Sequence, residues 1–128
     1  MYPARLPGFV ALQDGEIVGH VSYRGDGERC EIVSIDASPR GSGIGSMLMD
    51  VVLQAARQEG YKVAWLTTTN DNLDAIRFYQ RRGFRFCALR RGATDRARKN
   101  FKPGIPVVGS YGISMRDELD LELELPLA

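Results

Sequence analysis

The chain has 128 residues, of which 44% are hydrophobic and 26% charged, and its net charge is +1. Residues 1–128 are therefore expected to form a single domain with a real core, and the balanced charge gives no global field favouring nucleic acid or an anionic membrane. No stretch approaches the roughly 18 uninterrupted apolar residues of a membrane-spanning helix, and "MYPARLPGF" has no apolar run fit for a secretory signal. Cys30 and Cys87 have no CxxC or HxxxH companion, so they are expected to be reduced core thiols of a cytoplasmic protein. Together with His20 they are too few and too scattered for a structural zinc site, and no metal is expected.

In chain order, "GFVALQDGEIVGHVSYR" (Gly8 to Arg24) reads as a β-hairpin turning at Gln13-Asp14-Gly15, since Asp-Gly is a strong hairpin signal. "RGDGE" (Arg24 to Glu28) is a second turn. "RCEIVSIDA" (Arg29 to Ala37) is a third strand, with Cys30 and Ile32 on one face and Val33, Ile35 and Ala37 on the other. It is apolar on both faces towards its end, as a central strand should be. After "SPRGSG" comes a helix through "IGSMLMDVVLQAARQEG", with Ile44, Met47, Leu48, Val51, Val52 and Ala55 on one stripe and Gly60 as its stop. "YKVAWLTTTN" (Tyr61 to Asn70) is a strand rich in β-branched and aromatic residues.

"DNLDAIRFYQRRGF" is a second helix. Asp71 and Asn72 are cap candidates, Arg77, Arg81 and Arg82 crowd its C-terminal half, and Gly83 ends it. "FRFCALR" (Phe84 to Arg90) is a strand. Between Arg91 and Arg116 the signal weakens: "ATDRARKN" can form a short helix, and "KPGIPVVG" cannot be regular. "DELDLELEL" (Asp117 to Leu125) alternates charge with leucine and is a half-exposed final strand. The order predicts an α+β fold, a mixed and mostly antiparallel sheet with helices packed on it.

The loop "RGSGIG" (Arg40 to Gly45) joins a well-marked strand to a well-marked helix. Main-chain N–H groups at a helix start, aided by the helix dipole, make an anion site, and glycine lets a phosphate approach the backbone. The pattern is not the dinucleotide fingerprint GxGxxG, and it lacks the Lys-Ser/Thr of a P-loop. Read alone, it is either a phosphate cradle or a flexible turn. It resembles, however, the Arg/Gln-x-x-Gly-x-Gly pyrophosphate-binding loop of the GNAT superfamily of N-acetyltransferases. "NLDAIRFYQRRGF" (Asn72 to Phe84) is similar to that superfamily's Asn-x-x-Ala-x-x-x-Tyr…Gly-Phe segment, one helix and one strand further on. The resemblance covers roughly Phe9 to Phe86 and accounts for the final strand.

That resemblance implies the acyl-CoA N-acyltransferase fold and an enzyme that moves an acetyl group from acetyl-CoA to a primary amine of a small molecule or protein. With no cysteine in either motif to carry an acyl group, direct attack in a ternary complex is expected. By the same resemblance, the main chain of Ile35 and Ala37 binds the pantetheine arm and the thioester carbonyl. The N–H groups of Gly41, Ser42, Gly43, Ile44, Gly45 and Ser46 hold the pyrophosphate. Arg40 adds charge or is a solvated loop arginine. Asn72 contacts the pantetheine or is simply a helix cap. Tyr79 faces the sulfur as the acid for the departing thiolate, or is a core tyrosine. Glu31, placed four residues before Ile35 and on the same face, is the candidate base, against the reading of an ion-paired carboxylate. Glu28, Asp36 and a water chain are weaker candidates, and His20 reads as structural.

Relatives open with a strand and helices that help form the acceptor pocket, and "MYPARLPG" is too short for these. The acceptor site is then expected from a partner subunit, from residues 91–116 or from an open groove, and a homodimer is expected. Arg90, Arg91, Arg96, Arg98, Lys99 and Lys102 make either a basic rim or a surface balanced by the acidic final strand; the latter is preferred. A non-catalytic acyl-CoA-binding or sensing module is the competing function, and a nucleic-acid binder is disfavoured.

Overall fold

The computed structural model describes residues 6–39 and 41–126. Strands β1 (Gly8–Gln13) and β2 (Glu16–Asp26) form the expected hairpin, closed by the two residues Asp14 and Gly15. Then follow β3 (Arg29–Ala37), α1 (Ile44–Gln58), β4 (Val63–Thr69), α2 (Leu73–Arg81), β5 (Arg85–Arg90), α3 (Ala93–Asn100), a 3-10 turn at Ser110–Gly112, and β6 (Glu118–Glu124). The six strands lie in the order β1-β2-β3-β4-β6-β5. The β1–β2–β3 and β5–β6 pairs are antiparallel and β3–β4 is parallel, so the sheet is mixed as expected. The chain forms two compact units, one built before Leu66 and rejoined after Leu123, the other spanning Leu66–Leu123.

In the first unit α1 covers one face of β1–β3. Its buried residues are Leu48, Met49, Val52, Leu53 and Ala56, packed with Val21, Tyr23, Cys30 and Ile32. The predicted stripe had the right axis but the wrong edge, because Met47 and Val51 are exposed. The helix is apolar around more than half its girth, so periodicity alone does not choose which flank is covered. Gly60 and Tyr61 end it: their N–H groups donate to the Arg57 and Ala56 carbonyls at 3.1 and 3.0 Å, the Schellman arrangement. The Tyr23 hydroxyl donates to Glu59 Oε2 at 2.7 Å, and that bond, with burial, pushes the phenol up to about 12.

Strand β3 departs from simple alternation. Ser22 pairs with Ser34 but Tyr23 with Ile32, so Val33 is an extra residue, a β-bulge. The bulge rotates everything after it. Cys30, Ile32, Ile35 and Ala37 share the α1 face, while Glu31, Ser34 and Asp36 share the other. The expected split of Cys30 and Ile32 from Ile35 and Ala37 is corrected by that one residue, and so is the expected common face of Glu31 and Ile35.

In the second unit Leu66, Tyr79, Phe84 and Leu121 are buried together with Thr68, Asp71 and Thr94. Residues 101–117 have little regular structure but are firmly held. Arg98 donates to the carbonyls of Ile105, Pro106 and Met115 at 2.7–2.9 Å. Asn70 donates to Ser114 O and accepts from the N–H groups of Arg116 and Asp117. Asp71 Oδ2 accepts from Ser110 N at 2.9 Å. A Cβ at Gly109 would collide with the Asp71 carboxylate. Gly109→Ala is therefore expected to cost about 1–3 kcal/mol of stability, read as a lowered urea midpoint.

Cys30 is fully buried, and burial pushes its thiol up to about 11. Cys87 is exposed in β5, at a bulge between Phe86 and Ala88, so the expectation of two core thiols holds for Cys30 and fails for Cys87. Among the described residues no helix is long and apolar enough to cross a membrane.

Candidate active site

The parallel ladder between β3 and β4 runs from Arg29↔Val63 to Glu31↔Trp65 and, among the described residues, goes no further. β3 continues for six residues beyond Glu31 to Ala37. Its main chain from Val33 onward thus has an edge open on that side, and this edge runs into the glycine loop. Ile35 and Ala37 lie on it.

Arg40 lies outside the described residues. Gly41 and Gly43 have φ of 77° and 86°, left-handed values that a side chain resists. Gly43 caps α1 with no side-chain hydrogen bond and no acidic residue in the first turn. The nearest substitute is a long 3.4 Å bond from Ile44 N to Ser42 Oγ. The first-turn N–H groups, those of Gly45 and Ser46 included, are thus offered outward with the positive end of a 15-residue helix behind them. A Cβ at Gly41, Gly43 or Gly45 would meet nothing within 4 Å. Gly45 is the informative one. It has no left-handed φ and no crowding, yet glycine costs a helix about 1 kcal/mol against alanine. The room in front of it suits a group that comes close to the backbone.

In the second unit, α2 carries the other two predicted residues. Asn72 is the N-cap, its Oδ1 accepting from Ala75 N at 3.4 Å. Tyr79 lies seven residues, nearly two turns, further on and on the same helix face. It is 9% exposed, and burial holds its phenol above the ordinary range. The end of α2 explains its placement. Gly83 N donates to Gln80 O and Phe84 N to Tyr79 O, both at 3.0 Å. This is again the Schellman pattern, and the Phe84 ring packs on Tyr79 with centroids 5.9 Å apart. The Gly83-Phe84 pair therefore ends the helix and walls the tyrosine.

Of the candidate bases, Glu31 accepts from Arg24 at 2.6 Å across the β2–β3 ladder, and Glu28 pairs with Lys62 at 3.1 Å. Asp36 is exposed, its Oδ1 accepting from Ala37 N at 3.0 Å. His20 stands opposite Asp36 in the ladder. In the basic segment, Arg90 is bound by Asp120 at 2.7 Å and by Glu118, and these bonds hold its guanidinium firmly protonated. Arg98 is spent on carbonyls and Asp95. Two members of the proposed rim thus serve the fold, as the balanced-surface reading requires. Among the described residues no three His, Cys, Asp or Glu side chains gather as a metal site.

Sequence reasoning read Asp71 only as a cap candidate and missed its bond to Ser110 N. Burial opposes its ionisation, but bonds from Thr69, from the Ser110 N–H and from its own N–H outweigh this and keep the carboxyl below its usual range. Its adjacency to Asn72 was visible, whereas its partner 39 residues away was not.

The sequence model of the acetyltransferase (GNAT) family matches residues 2–84. The chain belongs to this family. It is 44% identical over 115 residues to the uncharacterized protein YdhI of Bacillus subtilis (strain 168), covering 89% of this chain and 71% of that protein. It is 43% identical over 86 residues to the streptothricin acetyltransferase of Streptomyces lavendulae, covering 63% of this chain and 46% of that enzyme. Among solved structures it resembles a GNAT family acetyltransferase from Elizabethkingia anophelis with acetyl-CoA bound, at 28% identity and a TM-score of 0.79, over 91% of this chain and 74% of that one. The mixed sheet with its helices is that of the GNAT neighbours.

Proposed function

We propose that this chain moves an acetyl group from acetyl-CoA to a primary amine of a small molecule, by direct attack of the amine on the thioester in a ternary complex. The observation that carries this reading is the fork at Glu31. There β3 loses its parallel partner, and its open edge leads into a glycine loop that starts an uncapped helix. On this reading the main chain of Ile35 and Ala37 holds the pantetheine arm and the thioester carbonyl. A donor aimed at that oxygen stabilises the charge that develops as the amine adds. The N–H groups from Gly41 to Ser46 hold the pyrophosphate, with Arg40 adding charge and Asn72 supporting the pantetheine. Tyr79 donates to the departing thiolate. The relative named for streptothricin supports a small-molecule acceptor over a protein amine.

Calorimetric titration with acetyl-CoA tests the reading, with Gly43→Asp and Gly43→Asn beside the wild type. Asn and Asp tolerate the left-handed φ about equally, so only charge separates the two variants. We expect micromolar binding by the wild type. The Asp variant should bind about 100-fold more weakly, a difference of about 2.8 kcal/mol, and the Asn variant should fall between. A flat wild-type titration would reject acetyl-CoA as the donor. Equal binding by all three would remove the loop from the site.

A further inference from the structure

The amine must lose a proton before it can attack, and the residue placed to take it is not the one that sequence spacing suggests. With Val33 bulged out, Glu31 lies three rungs back from Ile35, about 10 Å along β3, beyond hydrogen-bond reach even through one water. Its carboxylate is already held by Arg24. The bulge at Val33 instead assembles a row of cross-strand pairs on the face of β2–β3 away from α1: Arg24 with Glu31, Ser22 with Ser34, and His20 with Asp36. The first two pairs are closed on themselves, the serines by a 2.6 Å hydroxyl contact. The third lies level with the stretch from Ile35 to Ala37 whose main chain faces the thioester on the reading above.

We propose that His20 is the catalytic base that takes the proton from the acceptor's ammonium group, with Asp36 as its positioning residue. This rests on the transferase reading. His20 is the chain's only histidine. It is half-buried, with Val10 opposite it on β1 and Asp36 opposite it on β3, while α1 covers the other face. Asp36 is thus the one charged group its two neighbouring strands place directly beside it. The nearest further charges on that face are the mutually paired Arg24 and Glu31. Imidazole is the side chain best suited to accept a proton near neutrality. Such a pair is ordinarily a surface detail; here it is the titratable group nearest in register to the proposed thioester.

The proton balance closes. His20 takes one proton from R–NH3+. The amine nitrogen forms the C–N bond, and the C–S bond breaks with its electrons on sulfur. The amine nitrogen sheds a second proton as the amide forms, and that proton ends on the thiolate to give CoA thiol, while His20 returns its own proton to water from its solvent-facing side. The net reaction consumes ammonium and thioester and yields amide, thiol and one proton.

The test compares wild type, His20→Gln, Asp36→Asn and Glu31→Gln, using ethanolamine, putrescine, phenethylamine and 2-aminoethylphosphonate as acceptors. His20→Gln should lower kcat about 100- to 1,000-fold and abolish the one-proton acidic limb of kcat/KM. Its Kd for acetyl-CoA should stay within about threefold of wild type. Added imidazole should restore part of the rate. Glu31→Gln should keep the limb. Asp36→Asn should change the tautomer balance of the single imidazole, read from its nitrogen chemical shifts, and lower kcat less than His20→Gln does. A His20→Gln enzyme with wild-type rate and limb would overturn the base assignment while leaving the transferase standing. Unchanged imidazole nitrogen shifts in Asp36→Asn would overturn the role given to Asp36. No acetyl transfer and a flat acetyl-CoA titration for the wild type would overturn the transferase and the base together.

Discussion

Replacing Tyr79 by Phe is expected to lower kcat about 100- to 1,000-fold while leaving the Kd for acetyl-CoA within about threefold. The size of the effect follows from what the hydroxyl can do. A free thiol titrates near 8.5 and a free phenol near 10, and burial raises Tyr79 further. Complete proton transfer from this phenol to a thiolate is therefore uphill. On the proposed function its contribution is a hydrogen bond to charge growing on sulfur, worth what one oxyanion donor is worth rather than a full acid. The change should leave stability nearly intact, within about 1 kcal/mol, because the hydroxyl has no hydrogen-bond partner among the described residues. Steady-state kinetics, the calorimetric Kd and a urea melt measured together check it. A kcat within threefold of wild type would make Tyr79 a core residue only.

Phe84→Ala should act on both fold and chemistry. Phe84 is 2% exposed and supplies the apolar contact that closes α2 onto Tyr79. Removing a buried phenyl ring costs about 3–5 kcal/mol. That is a large share of the roughly 5–15 kcal/mol that holds a domain together. The urea midpoint should fall with little change in slope, and kcat should fall with it as Tyr79 loses its wall. Phe84→Leu, which refills most of the volume, should recover most of both. Full stability in Phe84→Ala would mean that the ring does not seal the helix end.

The elements were legible in the sequence wherever a local rule decides them. Asp14-Gly15 fits a two-residue hairpin loop, and the Gly60-Tyr61 and Gly83-Phe84 pairs are helix stops whose geometry is set within six residues. Asn72 reads as a cap from its place before an amphipathic run, and it is one. The glycine turn into a helix start without a side-chain cap was legible for the same reason. What escaped was set by contacts distant in sequence or by one-residue irregularities. Nothing in "RCEIVSIDA" marks Val33 as an extra residue, because the bulge is chosen by β2 across the ladder. Yet that one residue decides which face Glu31 and Asp36 occupy. The segment after Arg91 looked shapeless because its order comes from Arg98, Asn70 and Asp71 reaching carbonyls and amides up to 47 residues away. Cys87 was misplaced because an edge strand and a central strand can share the same short apolar run.

The fork between β3 and β4 has its own light source. Trp65, the chain's only tryptophan, sits on the last paired rung opposite Glu31, with the Arg29 guanidinium 5.6 Å from its ring. An indole beside a cation emits according to its local field and solvent. With no second indole to blur the signal, the unlabelled protein reports on this one point, and filling or emptying the fork can be followed in real time by fluorescence.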